Sequence, residues 1–188
     1  VYGIDEHLND NLEKLDKYKV ADLNNFDFDI DLKDFNYVIL LDVIEHLSSP
    51  EEFLKKLYLK MSLNPECKLI ISTPNVANIF IRFMLLFGNF NYGSRGILDR
   101  THTRLFTKNT FIKIVEENNF KNLEFKYIPI PIPLIISNKM IVKTAMKLQK
   151  ILNIFFGSIF CFQFLMVSKP NPSLEFLINQ AEKNESLE

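Results

Sequence analysis

The stretch "LLDVIEHLSSPEEFL", residues 40–54, joins the end of an apolar run to the start of a predicted helix. The run "NYVILL" is continuously apolar, which is typical of a parallel strand covered on both faces. Ser49, Pro50 and Glu52 predict a helix start with an N-cap, a proline at the first position and a capping box. Three ionisable side chains lie in the corner between strand and helix: Asp42, Glu45 and His46. A buried strand therefore leads into a helix through a corner that carries acid–base groups.

Strands and helices also alternate on the N-terminal side of this corner. "VYGI" at residues 1–4 predicts a short strand, and "KYKVADL" predicts a second one that ends near Asp22. Leucines at helical spacing predict a helix over residues 8–15. The order upstream of the corner is thus strand, helix, strand.

The same alternation continues downstream. "KLIIST" predicts another buried strand that "TPN" ends, and Thr107 predicts the cap of a helix through about Asn118. Alternating side chains at residues 123–127 predict a half-exposed strand, and a helix from roughly Asn138 precedes a Phe-rich final strand to about Val167. This order favours an α/β fold with a doubly wound, mostly parallel sheet.

Length, composition and net charge limit the kinds of fold and function that this sequence can have. The 188 residues, 47% of them hydrophobic, suit one globular domain, assigned to residues 1–170 with a polar tail at 171–188. The net charge is −1, with 22 basic and 23 acidic residues and no basic block, so the sequence shows no nucleic-acid footprint.

The cysteines and the most apolar run give no further site. Cys67 and Cys161 lie far apart without metal-ligand spacing, which predicts ordinary thiols and no assigned metal site. This cysteine usage fits a reducing compartment, and we expect a cytoplasmic protein. Polar residues and a glycine interrupt the apolar run at 151–167, so it does not predict a membrane span.

Acidic residues follow several predicted strands, where doubly wound sheets bind ligands. Asp5 could accept hydrogen bonds from a ribose diol, and Asp22 could accept from an adenine amino group. The alternatives are a solvated loop acid for Asp5 and a turn cap for Asp22. Asp42 and the "TPN" of residues 73–75 follow the next two strands. Their shared position favours a binding crevice at this edge of the sheet.

Two histidines could carry acid–base chemistry. His46 titrates near neutrality and could take a proton from a nucleophilic hydroxyl or amine. His102 lies in "LDRTHTRLF" between two cationic residues, Arg100 and Arg104. The alternatives are a satisfied surface imidazole for His46 and a solvated loop for His102.

Five segments in order resemble the successive motifs of class I S-adenosylmethionine-dependent methyltransferases. They are "VYGID", "VADL", "YVILLDVIEHLSSPEEFLKKL", "KLIISTPN" and "LDRTHTRLFTKNTFIKIVEENNF". The pattern is similar to bacterial methyltransferase domains with an Asp-Val-hydrophobic-Glu-His-Leu motif after the fourth strand. The resemblance implies a Rossmann-like fold, S-adenosylmethionine as cofactor, and in-line methyl transfer to an O, N or C nucleophile.

The resemblance also implies roles for individual residues. Asp5 matches the ribose-binding acid, and Asp22 with the backbone of Leu23 matches the adenine-contacting position. Asp42 falls where the chain passes the methionine part of the cofactor. His46 and His102 match histidines on the acceptor side, and whether either acts as the base stays open.

One part of the family pattern has no counterpart in this sequence. The first strand and its glycine-rich loop, which in the family accept the methionine end of the cofactor, are lacking because Val1 falls where the second strand begins. In the family's strand order, 3-2-1-4-5-7-6, that strand is central. We therefore expect a fragment of a longer protein, exposed strand edges and weak cofactor binding.

Apolar segments within residues 76–106 and 129–158 lie where the family inserts lid and substrate elements. For most of these residues we favour ordinary core helix and strand. The alternative is an apolar entrance for a glycan or lipid-linked acceptor, or a peripheral membrane contact.

Three functions are compatible with these patterns. The leading hypothesis is methyl transfer from S-adenosylmethionine to a small-molecule acceptor. The second is a truncated or degenerate methyltransferase-like module without catalysis that packs against a partner. A nicotinamide dinucleotide-binding domain ranks last, because it gives "DVIEHL" followed by "TPN" no role.

Overall fold

The computed structural model describes residues 1–7, 14–25, 30–134, 137–174 and 176–178. The helix predicted over residues 8–15 falls largely outside these described residues, as does most of the tail at 171–188.

The strands form two sheets. β1 (Tyr2–Asp5) and β2 (Lys17–Val20) pair in parallel, with Tyr2 opposite Lys17 and Asp5 opposite Val20. The larger sheet contains β3 (Tyr37–Leu41), β4 (Lys68–Pro74), β5 (Phe120–Ile128) and β6 (Gln163–Pro170), in the order β3-β4-β6-β5. β3 and β4 are parallel, whereas β6 runs antiparallel to both of its neighbours.

In the described part of the chain four helices connect the strands: α1 (Pro50–Met61), α2 (Ile79–Leu86), α3 (Lys108–Glu117) and α4 (Lys139–Phe160). Short 3₁₀ turns include Leu23–Asn25, Ile44–His46 and Ile132–Leu134. Helices flanking a mixed sheet confirm the predicted α/β, Rossmann-like fold class.

Most predicted boundaries agree with the structure, and two details do not. Ser49 is the N-cap of α1 and Pro50 follows it, but the Ser49 side chain makes no cap hydrogen bond. The predicted capping box is therefore wrong here, whereas Thr107 and Thr110 do form one at α3. The helix predicted from roughly Asn138 extends to Phe160 as α4, and the final strand, β6, runs from Gln163 to Pro170 and so ends beyond the predicted Val167.

The core lies between the larger sheet and helices α1 and α3. Leu54, Ile71, Phe111 and Phe164 are fully buried in it, and the rings of Phe111 and Phe164 stack with centroids 6.3 Å apart. Near the end of α4, Gly157 lies so close to the core that a Cβ atom there would be 2.4 Å from the Tyr127 ring. Only glycine permits this close approach, which positions the end of α4 against β5.

A cavity of about 630 Å³ separates the two sheets. Tyr2 and Ile4 of β1 line one side, and Val38 and Leu40 of β3 line the other. Among the described residues no strand pairs with β3 on this side, so β3 is an edge strand. β3 therefore has an exposed strand edge, as the sequence predicted.

Two hydrogen bonds link the small sheet to the start of α1. Asn24, in the turn after β2, accepts on Oδ1 from the Ser48 backbone nitrogen at 2.8 Å and from Ser48 Oγ at 2.9 Å. Both groups lie just beyond the ends of their strands. The connection therefore holds the two candidate ligand-binding edges side by side.

The β3 edge should make the 188-residue chain self-associate, because an unpaired strand with apolar side chains is a template for intermolecular pairing. Ile39 on this edge is 57% exposed. We expect Ile39→Lys to lower light scattering of the concentrated chain, because a charged side chain opposes edge-to-edge pairing. Leu59→Lys on α1, where Leu59 is 58% exposed, is the matched control and should leave scattering unchanged. Equal scattering of both variants would contradict the assignment of β3 as the adhesive edge.

Candidate functional site

In the corner after β3, Asp42 adopts a left-handed backbone conformation. Asp42 has a φ of +54°, a conformation that Asp tolerates better than most residues because its side chain bonds locally. Its backbone nitrogen donates to Ser72 Oγ at 3.1 Å, and Gln163 Nε2 lies 2.8 Å from each carboxylate oxygen. The carboxylate at the end of β3 is therefore fixed by side chains of β4 and β6.

The backbone carbonyl of Glu45 holds a distant loop against this corner. It accepts hydrogen bonds from the backbone nitrogens of Thr103 at 2.8 Å and Arg104 at 3.1 Å. The Thr103 hydroxyl lies 3.1 Å from the same carbonyl and 2.7 Å from that of Leu47. Residues 97–104 are thereby placed beside the 3₁₀ turn Ile44–His46.

This contact brings together the two histidines that the sequence singled out. The ring centroids of His46 and His102 are 4.8 Å apart in an edge-to-face arrangement. His46 Nδ1 lies 3.2 Å from the Thr101 carbonyl oxygen, and His102 Nδ1 lies 3.0 Å from that of Ile97. A carbonyl can only accept, so each Nδ1 carries the proton and each Nε2 is the free acceptor in the neutral ring.

Glu45 contributes a buried carboxyl group to the same cluster. Its side chain is 1% exposed, and neither carboxylate oxygen has a hydrogen-bond partner among the described residues. Burial raises the pKa of Glu45 to about 7. Its own backbone N–H and the Thr73 hydroxyl act in the opposite direction, and the nearby charge of Asp42 adds to the effect of burial. Near neutral pH this group can therefore hold or release a proton. The sequence located Glu45, but its burial depends on the loop at 97–104.

The acids assigned to the nucleoside lie at the end of the small sheet. Asp5 is exposed, and its Oδ1 accepts from the His7 backbone nitrogen at 2.9 Å. Asp22 Oδ1 accepts from the Asn24 backbone nitrogen at 2.8 Å, so it caps the turn that begins at Leu23. For Asp22 the turn-cap alternative is thus observed, and it leaves Oδ2 without a partner among the described residues. Both acids lie at the end of the small sheet, whereas the histidine pair lies beyond the end of β3 in the larger sheet.

The "TPN" segment has a structural role. Asn75 is fully buried, and its Nδ2 donates to the carbonyl oxygens of Ser158 at 3.0 Å and Cys161 at 3.2 Å. Asn78 Nδ2 donates to the same Cys161 carbonyl at 2.7 Å. These bonds join the end of β4 to the turn between α4 and β6. Sequence reasoning placed residues 73–75 at the crevice but missed this function, and it missed Gln163 and Thr103 altogether.

The apolar segments downstream are more exposed than the favoured core interpretation predicted. In α2 only Ile81 is buried, while Phe80, Phe83 and Leu86 are 62%, 54% and 74% exposed. In α4 the buried residues are Gln149 and Gly157. The core interpretation of these helices is therefore wrong, because their apolar faces lie on the surface of the described structure. No helix among the described residues is both long and apolar enough to cross a membrane.

The strand-end acids and the parallel β1–β2 and β3–β4 pairs define an α/β protein that binds its ligand at the carboxyl edge of the sheet. A family model described as a methyltransferase domain matches residues 2–124. The chain therefore belongs to this methyltransferase family, whose expected cofactor is S-adenosylmethionine. The match includes every candidate site residue: Asp5, Asp22, Leu23, Asp42, His46 and His102.

Solved structures show the same fold. The chain is similar to an S-adenosylmethionine-dependent methyltransferase from Archaeoglobus fulgidus, with a TM-score of 0.54 and 15% identity over 89% of this chain and 75% of that one. It is also similar to such a protein from Methanosarcina mazei, with a TM-score of 0.50 and 9% identity over 84% of this chain and 68% of that one. No curated protein matches this sequence.

The described residues fit the nucleoside half of this cofactor. The Asp5 and Asp22 carboxylates each keep one oxygen without a partner among the described residues, and such oxygens accept from ribose hydroxyls or an adenine amino group. The Asp42 carboxylate is already held by Gln163, yet a carboxylate has about four lone-pair sites and can accept a further donor. The chemistry that the cofactor supplies is an electrophilic methyl group.

Glu45 should make the folded state less stable as pH rises. In the folded chain the pKa of Glu45 is about 7, whereas its ordinary value is 4.5. The stabilisation from the bound proton is complete below about pH 4.5 and is lost as pH rises to about 7, a total of about 3 kcal/mol. Urea unfolding in metal-free buffer across this range measures the slope.

Glu45→Gln should flatten this dependence, because the amide has the same shape and does not ionise. Glu116→Gln on the exposed face of α3 is the control and should retain the wild-type slope. An unchanged slope in Glu45→Gln would show that another group causes the pH dependence.

Proposed function

We propose that this protein transfers the methyl group of S-adenosylmethionine to a small-molecule acceptor that is bound on the side of His46 and His102. The single observation that supports this most is the contact between the histidine rings, 4.8 Å apart, at the corner after β3. It joins two family-matched segments that are far apart in sequence. The acids for the nucleoside lie at the neighbouring strand ends.

The chain's own residues have separable tasks in this reaction. Asp5 and Asp22, with the backbone of Leu23, bind the nucleoside, and Asp42 lies beside the methionine part. One histidine takes the acceptor proton on its free Nε2 while the acceptor's electron pair forms the bond to the methyl carbon. The bound cofactor would supply the methyl group, and its sulfur would keep the electron pair of the bond that breaks. Positioning donor and acceptor in line supplies most of the rate.

A cavity of about 340 Å³ beside the histidine loop supports a partly apolar acceptor. Ile81 and Met84 of α2 line it, together with Arg95 and with Ile97, whose carbonyl contacts His102. Its walls thus combine apolar surface with a cation. A glycan or lipid-linked acceptor in the cytoplasm fits these features, since the exposed face of α2 extends the apolar surface toward solvent.

The second candidate is a module that binds a partner without catalysis. The cavity between β1 and β3 favours it, because this apolar space with an open strand edge suits a packed segment of another protein. The two candidates differ in one measurable property, which is binding of S-adenosylmethionine.

Calorimetric titration of the intact natural protein with S-adenosylmethionine should show saturable binding. Asp5→Ala should weaken it by about 10- to 100-fold, because hydrogen bonds to a charged group contribute about 1.5–3 kcal/mol. Asp31→Ala, which removes an exposed carboxylate outside the proposed site, should leave the affinity unchanged. The absence of binding in the intact protein would exclude the enzyme and favour the module.

Membrane contact through α2 predicts co-sedimentation with vesicles of phosphatidylcholine and phosphatidylglycerol. Phe83 and Phe87 are 54% and 74% exposed, so the double variant Phe83→Asp, Phe87→Asp should sharply reduce the bound fraction. Leu123→Asp on β5, where Leu123 is 45% exposed, is the control and should bind like wild type. Equal sedimentation of all three proteins would refute a membrane contact through α2.

A further inference from the structure

The cluster formed by Glu45, His46 and His102 has a second chemical capacity. We propose that these three side chains bind one divalent transition-metal ion such as Zn²⁺, although the sequence assigned no metal ligands. Each offers one ligand atom, and these atoms all lie within 4.8 Å of one another. The three residues come from a turn after β3 and a loop more than fifty positions later.

The spacing is close to that of a metal centre. Bonds of about 2.0–2.2 Å from nitrogen or oxygen to the metal place ligand atoms about 3–4.4 Å apart. Atoms within 4.8 Å of one another thus reach this geometry when the widest pair closes by about 1 Å, a movement shared between two side chains. His46 and His102 are half-buried, so rotation of their rings is not blocked by tight core packing.

Both imidazoles already have the orientation that metal-binding histidines use. His46 Nδ1–H points to the Thr101 carbonyl and His102 Nδ1–H to the Ile97 carbonyl, at 3.2 and 3.0 Å. Such second hydrogen bonds fix the tautomer, and in the proposed site Nε2 of each ring would be the ligand atom. The loop itself is held by the Glu45 carbonyl, which fixes the position of His102 relative to His46.

The Glu45 carboxylate is the independent observation that indicates a ligand. It is 99% buried, given its 1% exposure, and both of its oxygens lack partners among the described residues. A buried carboxylate is normally paired or bound to a metal, because burial without either is costly. The neighbouring cation Arg104 is engaged by Glu51. The Thr73 hydroxyl and the Glu45 backbone stabilise the carboxylate only weakly, without a hydrogen bond of normal geometry to either oxygen, and a metal ion would supply the missing partner.

The donor set selects the class of ion. Two imidazoles and one carboxylate suit Zn²⁺, Mn²⁺, Fe²⁺, Co²⁺ or Ni²⁺, whereas Mg²⁺ and Ca²⁺ prefer all-oxygen sites. Three protein ligands also leave at least one coordination position open, as catalytic sites do. The negative charge of Asp42 acts on Glu45 and further favours a cation here.

The role of the ion rests on the proposed function. An acceptor hydroxyl bound at the open position would lose its proton to solvent more easily, because the cation stabilises the alkoxide. That oxygen's electron pair then forms the bond to the methyl carbon as the carbon–sulfur bond breaks. With the ion bound, the histidines act as ligands, and the proton-accepting role proposed for one of them without a metal ion passes to solvent.

Titration of the metal-free protein with Co²⁺ tests the site without requiring activity. We expect one Co²⁺ per chain, a visible d–d absorption band, and displacement by Zn²⁺. His46→Ala, His102→Ala and Glu45→Gln should each weaken binding by at least about tenfold. His7→Ala removes the remaining histidine, near Asp5, and should bind like wild type. Far-ultraviolet circular dichroism checks that each variant is folded, and His46→Gln and His102→Gln replace any alanine variant that is not.

Several outcomes would overturn the proposal. They are the absence of saturable binding, equal affinity of wild type and the three ligand variants, or a thiolate charge-transfer band from Cys67 or Cys161. Titration with S-adenosylmethionine, measured separately with Asp5→Ala, tests the proposed function. A protein that binds S-adenosylmethionine but not Co²⁺ would refute the metal site alone. A protein that binds Co²⁺ but not S-adenosylmethionine would refute the methyltransferase function alone.

Discussion

The candidate site depends on the backbone carbonyl oxygen of Glu45. Three donors converge on it: the backbone nitrogens of Thr103 and Arg104 and the Thr103 hydroxyl. His46 follows Glu45 directly and His102 precedes Thr103, so one acceptor fixes the relative position of both rings. Because the acceptor belongs to the backbone, the loop can stay in place when the Glu45 side chain is changed. The chemistry of the carboxylate is therefore separable from the architecture that presents it.

The strands form two separate sheets, and the parts of the candidate site that lie on them differ in stability. The histidine corner is anchored by four paired strands and the main core. β1 and β2 contain no fully buried residue, and Asn24 connects their end to Ser48 through two hydrogen bonds. Regions with few buried contacts open at a lower free energy than the core. The nucleoside side is thus the less stable half of the site, and ligand binding there would stabilise it most.

Sequence periodicity correctly predicted several helices and strands that pack on the core. It did not predict the features that depend on contacts between distant parts of the chain. The alternation that marks β5 and the cap at Thr107 are local signals, and both are observed. Residues 151–160 are apolar except for Asn153, Gly157 and Ser158, so the sequence shows no clear period that separates helix from strand. In the structure these residues are helical, and Gly157 near the end of α4 packs closely against the Tyr127 ring of β5. The sequence identified Asp42, Glu45 and His46 because they follow a predicted strand. It did not predict the burial of Glu45, because the loop at residues 97–104 that packs beside it is more than fifty residues away in sequence.

Glu45 is the residue at which stability and function conflict. A glutamine of the same shape would remove the cost of a buried charge, and an apolar side chain would remove the need for hydrogen-bond partners. The carboxylate nevertheless has a ligand atom within 4.8 Å of each of two imidazoles, and both rings are oriented by their own carbonyl partners. Groups that violate local rules in an otherwise consistent fold are concentrated at functional sites. The three residues are thus better explained by a shared ligand than by any contribution of Glu45 to folding.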